Sequence, residues 1–214
     1  GGTIVRYDGT PWHTMSSGYG RDLLDVWGSS ATDVFAVGYM AQDEPTSITG
    51  IILHYDGNCW REMVRTPDFQ FTDVWGSGSD DVFAATSRGP VLHYDGTAWR
   101  TMHSGTGSMN GTGGVWGTSA DNVFAVGADT VWKYDGNSWQ TAARVSANAL
   151  RRIWGSSATD VFAVGTRYTS QQAIAAIFHY DGAGWEYMSS GSEGARWDVW
   201  GSGPGDVYVV GDTT

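Results

Sequence analysis

"VWGSSATDVFAVG" occupies positions 26–38, and "IWGSSATDVFAVG" returns at 153–165 with only its first residue changed. Looser copies are anchored on Trp75-Gly76, Trp116-Gly117 and Trp200-Gly201, each followed six residues after the Trp by Asp or Asn, then Val and an aromatic. A second phrase alternates with the first: Tyr7-Asp8-Gly9 with Trp12, Tyr55-Asp56-Gly57 with Trp60, Tyr94-Asp95-Gly96 with Trp99, Tyr134-Asp135-Gly136 with Trp139, and Tyr180-Asp181-Gly182 with Trp185. Together the two phrases absorb ten of the 12 Trp, so the repeat and not the composition carries the fold. Its period, roughly forty to the high forties, is that of a four-stranded propeller blade and too long for a leucine-rich or ankyrin unit.

Each phrase has a local reading. "DVFAVG" is β-branched and aromatic and ends in Gly, which marks a short strand apolar on both faces. "IILHYDG" and "WREMV" read as two strands joined by an Asp-Gly hairpin, because Gly accepts positive φ and Asp bonds its own backbone. The Trp-Gly segment is the fourth strand. No stretch sustains a capped helical period; "QQAIAAIF" at 171–178 comes nearest and runs into a strand phrase. The chain is therefore all-β, and sheets with two apolar faces bury them by stacking around an axis. It opens on a third and fourth strand, Ile4 to Met15, and closes on a first and second, Trp200 to Gly211. That order predicts one domain over 1–214: a five-bladed β-propeller of four antiparallel strands per blade. The repeats run roughly 16–63, 64–102, 103–142, 143–188 and 189–214, the last completed by 1–15, so that the two termini share a blade and leave no free sheet edge.

On these motifs the chain resembles bacterial, myxobacterial-type β-propeller repeat proteins whose units read "VWGSSATDVFAVG…ILHYDGNCW". The resemblance spans essentially the whole chain and implies a fold, and a secreted or cell-surface setting, with hardly any activity. The Tyr-Asp-Gly-x-x-Trp turn is similar in part to the Asp-box of sialidase-type propellers, but Gly directly follows Asp here and no sialidase activity carries over. In architecture the expected ring is similar to the horseshoe-crab lectin tachylectin-2.

Twelve Lys and Arg face 23 Asp and Glu, a formal net charge of -11, which disfavours nucleic acid and anionic lipid as partners. No apolar run is long enough to span a membrane and no positively charged apolar leader opens the chain. The single cysteine, Cys59, excludes an internal disulfide framework and sits where other units carry Pro11, Ala98, Ser138 and Gly184, a small turn residue. No cofactor is expected. His54, His93 and His179 precede the turn Tyr in three units and belong to separate blades, which argues against a shared zinc ion. Asp33, Asp81, Asn122, Asp160 and Asp206 are read as capping turn amides, as are the five hairpin aspartates; one carboxylate per turn is too few for calcium. Met15, Met63, Met102 and Met188, three residues after each turn Trp, mark packing, with Ala142 in the fifth place.

Two of the four kinds of connection never change length, which defines a scaffold face. The second-to-third connection varies in length ("YMAQDEPTSITG", "TRYTSQQAIAA" against "SRGP" and "ADT"), the fourth-to-first keeps nearly the same length but shares little sequence, and both lie on the opposite face, where binding chemistry is expected. Residues there that break the repeat are the candidate ligand contacts: Tyr19, Tyr39, Asp43, Phe69, Arg152, Tyr168, Arg196 and Trp197. Aromatic faces with a few polar groups suit a sugar ring or a peptide side chain. The expectation is a non-catalytic, lectin-like module with a glycan or a protein surface as partner; the alternative is a protein-interaction scaffold. An enzyme is the weaker reading. Asp25, Asp73 and Asp198 could ring one channel mouth as acid and base, yet a repeated position gives no unequal environments to separate their pKa values. Oligomeric state is not legible.

Overall fold

A computed structural model describes residues 2–9, 11–20, 22–41, 48–67, 69–87, 90–102, 112–170, 172–191 and 193–212. Among them there are twenty strands and no helix. Four sheets are complete four-stranded meanders. The first holds β3 (Asp22–Ser30), β4 (Asp33–Ala41), β5 (Ile48–Tyr55) and β6 (Trp60–Pro67). The second holds β7 (Phe71–Gly78), β8 (Asp81–Thr86), β9 (Leu92–Tyr94) and β10 (Trp99–Thr101). The third holds β11 (Thr112–Ser119), β12 (Asn122–Gly127), β13 (Thr130–Tyr134) and β14 (Trp139–Arg144). The fourth holds β15 (Ala149–Ser157), β16 (Asp160–Tyr168), β17 (Ala173–Tyr180) and β18 (Trp185–Tyr187). Two-stranded half-sheets stand at either end: β1 (Ile4–Arg6) with β2 (His13–Met15), and β19 (Arg196–Gly203) with β20 (Asp206–Gly211). This is a repeat propeller fold.

The hairpin phrase does what its residues dictate. Gly57, Gly96, Gly136 and Gly182 sit at φ 83° to 92°, and the Asp before each accepts two backbone amides, as Asp56 does from Asn58 (2.9 Å) and Cys59 (3.0 Å). Those amides hold the Asp56, Asp135 and Asp181 carboxyls below the usual range; at Asp95 the Thr97 hydroxyl is the largest cause. The turn Tyr closes the loop, its hydroxyl donating to the Gly carbonyl at 2.8 to 2.9 Å in all four complete blades.

The second-strand aspartates do not cap turn amides as expected. Asp33, Asp81 and Asp160 each accept from a His of the adjacent strand, His54 at 2.6 Å, His93 at 2.7 Å and His179 at 2.6 Å. The other carboxylate oxygen takes a Ser hydroxyl from Ser29, Ser77 or Ser156. The imidazole lies against the Phe of the same blade, 4.4 Å between centroids for Phe83 and His93. In the third blade Asn122 takes the place of Asp and Lys133 that of His, with the ammonium 5.1 Å from the Phe124 ring. These are blade-internal ties: the Ser donates to Asp, not to His, so no nucleophile is activated.

Neighbouring blades interlock through the repeated residues. The Tyr and Trp of one hairpin pack on the Phe of the preceding blade: Tyr134 and Trp139 lie 5.7 and 6.3 Å from Phe83, as Tyr94 and Trp99 approach Phe35, and Tyr180 and Trp185 approach Phe124. The Met recurrence finds its cause here, since Trp139 Nε1 donates to Met102 Sδ at 3.4 Å and Met63 and Met15 join the same clusters as Trp99 and Trp60. Near the axis, the Trp of each Trp-Gly pair covers the glycine of the next. A Cβ on Gly76, Gly117, Gly155 or Gly201 would stand 2.6 to 2.8 Å from the indole of Trp27, Trp75, Trp116 or Trp154. Only glycine admits that approach.

The shared terminal blade is not formed. β1–β2 packs on the first blade, where Ile4 and Met15 join the cluster of Ala36, Leu53 and Tyr55, and β19–β20 packs on the fourth, where Val207 and Val209 join Phe162 and Ile177. The two half-sheets do not pair with one another. The molecule is an arc split at what would be its fifth blade, with β1 and β20 presenting unpaired edges. The hairpin phrases supply the strands, but pairing across the split depends on the accumulated angle between blades, which no local motif encodes.

Candidate funnel-mouth site

The first strands of all five units begin around one depression. Leu24, Thr72, Gly113, Arg151 and Trp197, the residues three positions before each Trp-Gly, line a cavity of about 610 Å³ together with Arg152 and residues of the variable connections such as Ser87, Ala128 and Asn148. The depression therefore opens on the face where connection lengths vary. Ala128 holds a left-handed φ of 47°, and its carbonyl accepts from Leu150 N at 2.8 Å, tying the third blade's short connection to the fourth blade's first strand.

Two positions before each Trp-Gly, next to this lining, stand Asp25, Asp73, Gly114, Arg152 and Asp198. Asp25 Oδ2 accepts the Val74 amide and Asp73 Oδ2 the Val115 amide, both at 2.8 Å and both from the following blade. Arg152 donates to the carbonyls of Gly113 (2.9 Å) and Thr72 (3.3 Å), with its Nε 3.7 Å from Asp73 and 3.9 Å from Asp198. Asp198 has no following blade and accepts its own neighbour's amide, Val199 N, at 2.9 Å. Asp25 and Asp73, two of the three carboxylates weighed as acid and base, are thus engaged as clamps between blades, whereas Asp198 is held only within its own strand.

Burial pushes the Asp73 carboxyl well above the ordinary carboxylate range; the Arg152 guanidinium opposes this and Asp25 reinforces it. A carboxyl raised on folding favours the folded state fully below its unfolded pKa and loses that contribution as pH rises through the folded value. Asp73→Asn, which keeps an oxygen for the Val115 amide, is therefore expected to gain stability relative to wild type as pH rises from 4 to 8, read as the difference in urea midpoints. A difference that shrinks over that range would mean that Arg152 outweighs burial. The hairpin carboxylates, lowered on folding, act with the opposite sign and are common to both proteins.

The eight sequence candidates separate. Trp197 and Arg152 line the cavity. Trp197 is 44% exposed, donates from Nε1 to Asp212 Oδ1 at 2.8 Å, and carries the Arg151 guanidinium 4.1 Å from its ring centroid. Arg196 is buried and satisfied, donating to the carbonyls of Glu193, Gly194, Ala195 and Asp212 at 3.2 to 3.3 Å. Phe69 packs edge-on against Phe71, and Tyr19 packs on the first blade's cluster, so both fill apolar gaps. Tyr39 lies in β4 opposite Asp22, whose carboxylate bonds its hydroxyl and raises the phenol pKa. Tyr168 is exposed at the end of β16, away from the cavity lining, and Asp43 lies outside the described residues. Where described, the long connections at 38–51 and 165–177 continue the strand pairing: Met40 pairs with Thr49, and Tyr168 with Ala173. The residue the site gains is Arg151. Its Nε is buried without a partner and its guanidinium stacks on Trp197 of the next unit.

No protein-family model matches the chain, and no curated protein matches it significantly. Solved structures do. A YCF48 structure bound to a D1 peptide superposes with a TM-score of 0.51 at 11% identity, over 97% of this chain and 94% of that one. The WD40 repeats of RRP9 give 0.59 at 11% identity, over 85% of this chain and 55% of theirs. An ancestral GH74 enzyme gives 0.59 at 13% identity, over 88% of this chain and 28% of the enzyme. The chain thus spans about half of the one structure and little more than a quarter of the other. At these identities the likeness is one of fold.

Proposed function

We propose that the protein is a non-catalytic module that binds another protein, taking a peptide segment at the funnel mouth between Arg151, Arg152 and Trp197. The observation that carries this reading is the Arg151–Trp197 stack at the rim of a cavity of about 610 Å³. An indole edge beside a guanidinium on a rigid frame suits an apolar side chain flanked by a carboxylate or a backbone carbonyl. Trp and Arg are also the residue types that most often dominate the energetics of protein interfaces. The neighbouring carboxylates are occupied by amides and Arg152, which favours binding over turnover. Two neighbours in fold bear on the same reading, one a structure bound to a peptide and one a WD40 repeat domain. A cell-surface or secreted setting fits such a module.

Carbohydrate binding is the second reading, favoured by the half-exposed Trp197 ring, whose free face could pack on a sugar. One experiment separates the two: selection of a displayed peptide library on the immobilised protein, alongside a glycan array. Peptides whose affinity falls about ten-fold or more in Trp197→Ala, a loss of roughly 1.4 kcal/mol, support the protein-binding reading. The melting temperature should stay within a few degrees, because Trp197 covers no core. Glycan hits that depend on Trp197, with no peptide selected, would move the assignment to the second reading.

A further inference from the structure

Eight large apolar side chains are left in solvent on the elements that flank the split. Val26 is 62% exposed where its counterpart Val74 is 5% exposed, and Trp200, Tyr208 and Val210 are exposed on β19–β20. Val5, Tyr7 and Trp12 of the first half-sheet and Met188 of the fourth blade are exposed as well. Every one is a repeat position whose partner is defined by the intact junctions. Trp200 lacks a glycine to cover, and Gly28 meets only Asp33 and Val34 of its own blade. Tyr7 and Trp12 lack a preceding Phe, Met188 lacks a following Trp, and Asp198 lacks a following amide of the kind that Asp25 and Asp73 hold. Asp206, which accepts from the Ser202 hydroxyl, stands where Asp33 holds His54, and Arg6, which donates to the Tyr55 hydroxyl at 3.3 Å, stands where His54 would be, so the split has opposite charges on its two sides. Between β1–β2 and the first blade lies an apolar cleft of about 520 Å³ lined in part by Val5, Tyr7, Val26, Tyr55 and Trp60, the place a half-blade like β19–β20 would fill.

We infer that this split is a self-association surface, in which β20 of one copy of the chain pairs antiparallel with β1 of a second copy. The register follows from β4 and β5, where Phe35 faces His54 and Ala36 faces Leu53. Transposed, Tyr208 faces Arg6 and Val209 faces Val5, and the two half-sheets become one four-stranded blade. A second copy is the occupant because β19–β20 supplies the two strands that β1–β2 lacks, and the two half-sheets do not pair with one another. An exposed strand edge with apolar flanks is a template for such pairing, and a head-to-tail contact of this kind joins unlike surfaces.

The test reads mass and register, not ligand, so it is independent of the funnel-mouth reading. Cys59→Ser proteins carrying Val5→Cys or Val209→Cys are mixed and oxidised. Mixed disulfide dimers are expected to form about ten-fold faster than with Val207→Cys in place of Val209→Cys, because a disulfide tolerates little displacement of its Cβ atoms. Sedimentation of the unmodified chain should show a mass above 23.0 kDa that rises with concentration. A monomer at every concentration overturns the inference. So does a double Val5→Cys, Val209→Cys protein that cross-links only within one chain, which would assign the split to closure on itself.

Discussion

Phe83→Ala is expected to lower the unfolding free energy by about 4 kcal/mol, the range found when a large aromatic is removed from a core that cannot collapse. Phe83 is fully buried and is the point where two blades meet: His93 stacks on it within its own blade, and Tyr134 and Trp139 pack on it from the next. A cavity there removes contacts from both sheets, and neither sheet can close over it without moving against the other. The urea midpoint should fall steeply with an unchanged slope. A loss under about 1 kcal/mol would show that the blades are not held by this junction, and the interlocking described for the whole arc would fail with it.

Gly165→Ala is expected to cost about 3 kcal/mol or more, at the upper end of overpacking effects, through contact with backbone. A Cβ at that position would stand 2.0 Å from the Ala149 carbonyl oxygen and 2.8 Å from Leu150 Cα, so β15 and β16 must separate where their ladder begins. The backbone there has no left-handed φ, which leaves space as the sole cause. Gly184→Ala is the control: an added Cβ meets nothing within 4 Å, and its melting temperature should match wild type. Equal effects at the two positions would mean that the pairing of β15 with β16 is looser than this register.

The alternation of two phrases fixes more of the molecule than any single motif. Strand boundaries, Asp-Gly hairpins and four-stranded meanders all follow from it, because each rests on residues a few positions apart. The glycine after each Trp was legible as a repeated landmark, but not that the indole of the preceding unit packs against it. The site was less legible. Arg152 and Trp197 were found as exceptions to the repeat, but Tyr19 and Phe69, exceptions too, fill apolar gaps, and Arg196 is consumed by carbonyls. An aromatic out of pattern looks the same in sequence whether it plugs a gap or faces solvent. The signal that would have found Arg151 was present: it shares a repeat position with Trp197 one unit away, and first strands of adjacent blades run side by side.

Local chemistry alone determined the repeat, its strands and its turns, since alternation of apolar residues, the φ of glycine and the reach of an aspartate are settled within a few residues. Only the tertiary structure decided which side chains meet between blades, that Asp25 and Asp73 serve as clamps, and that the terminal half-sheets stand apart. Those outcomes depend on the angle at which one sheet packs on the next, and that angle is the sum of many contacts between units distant in the chain.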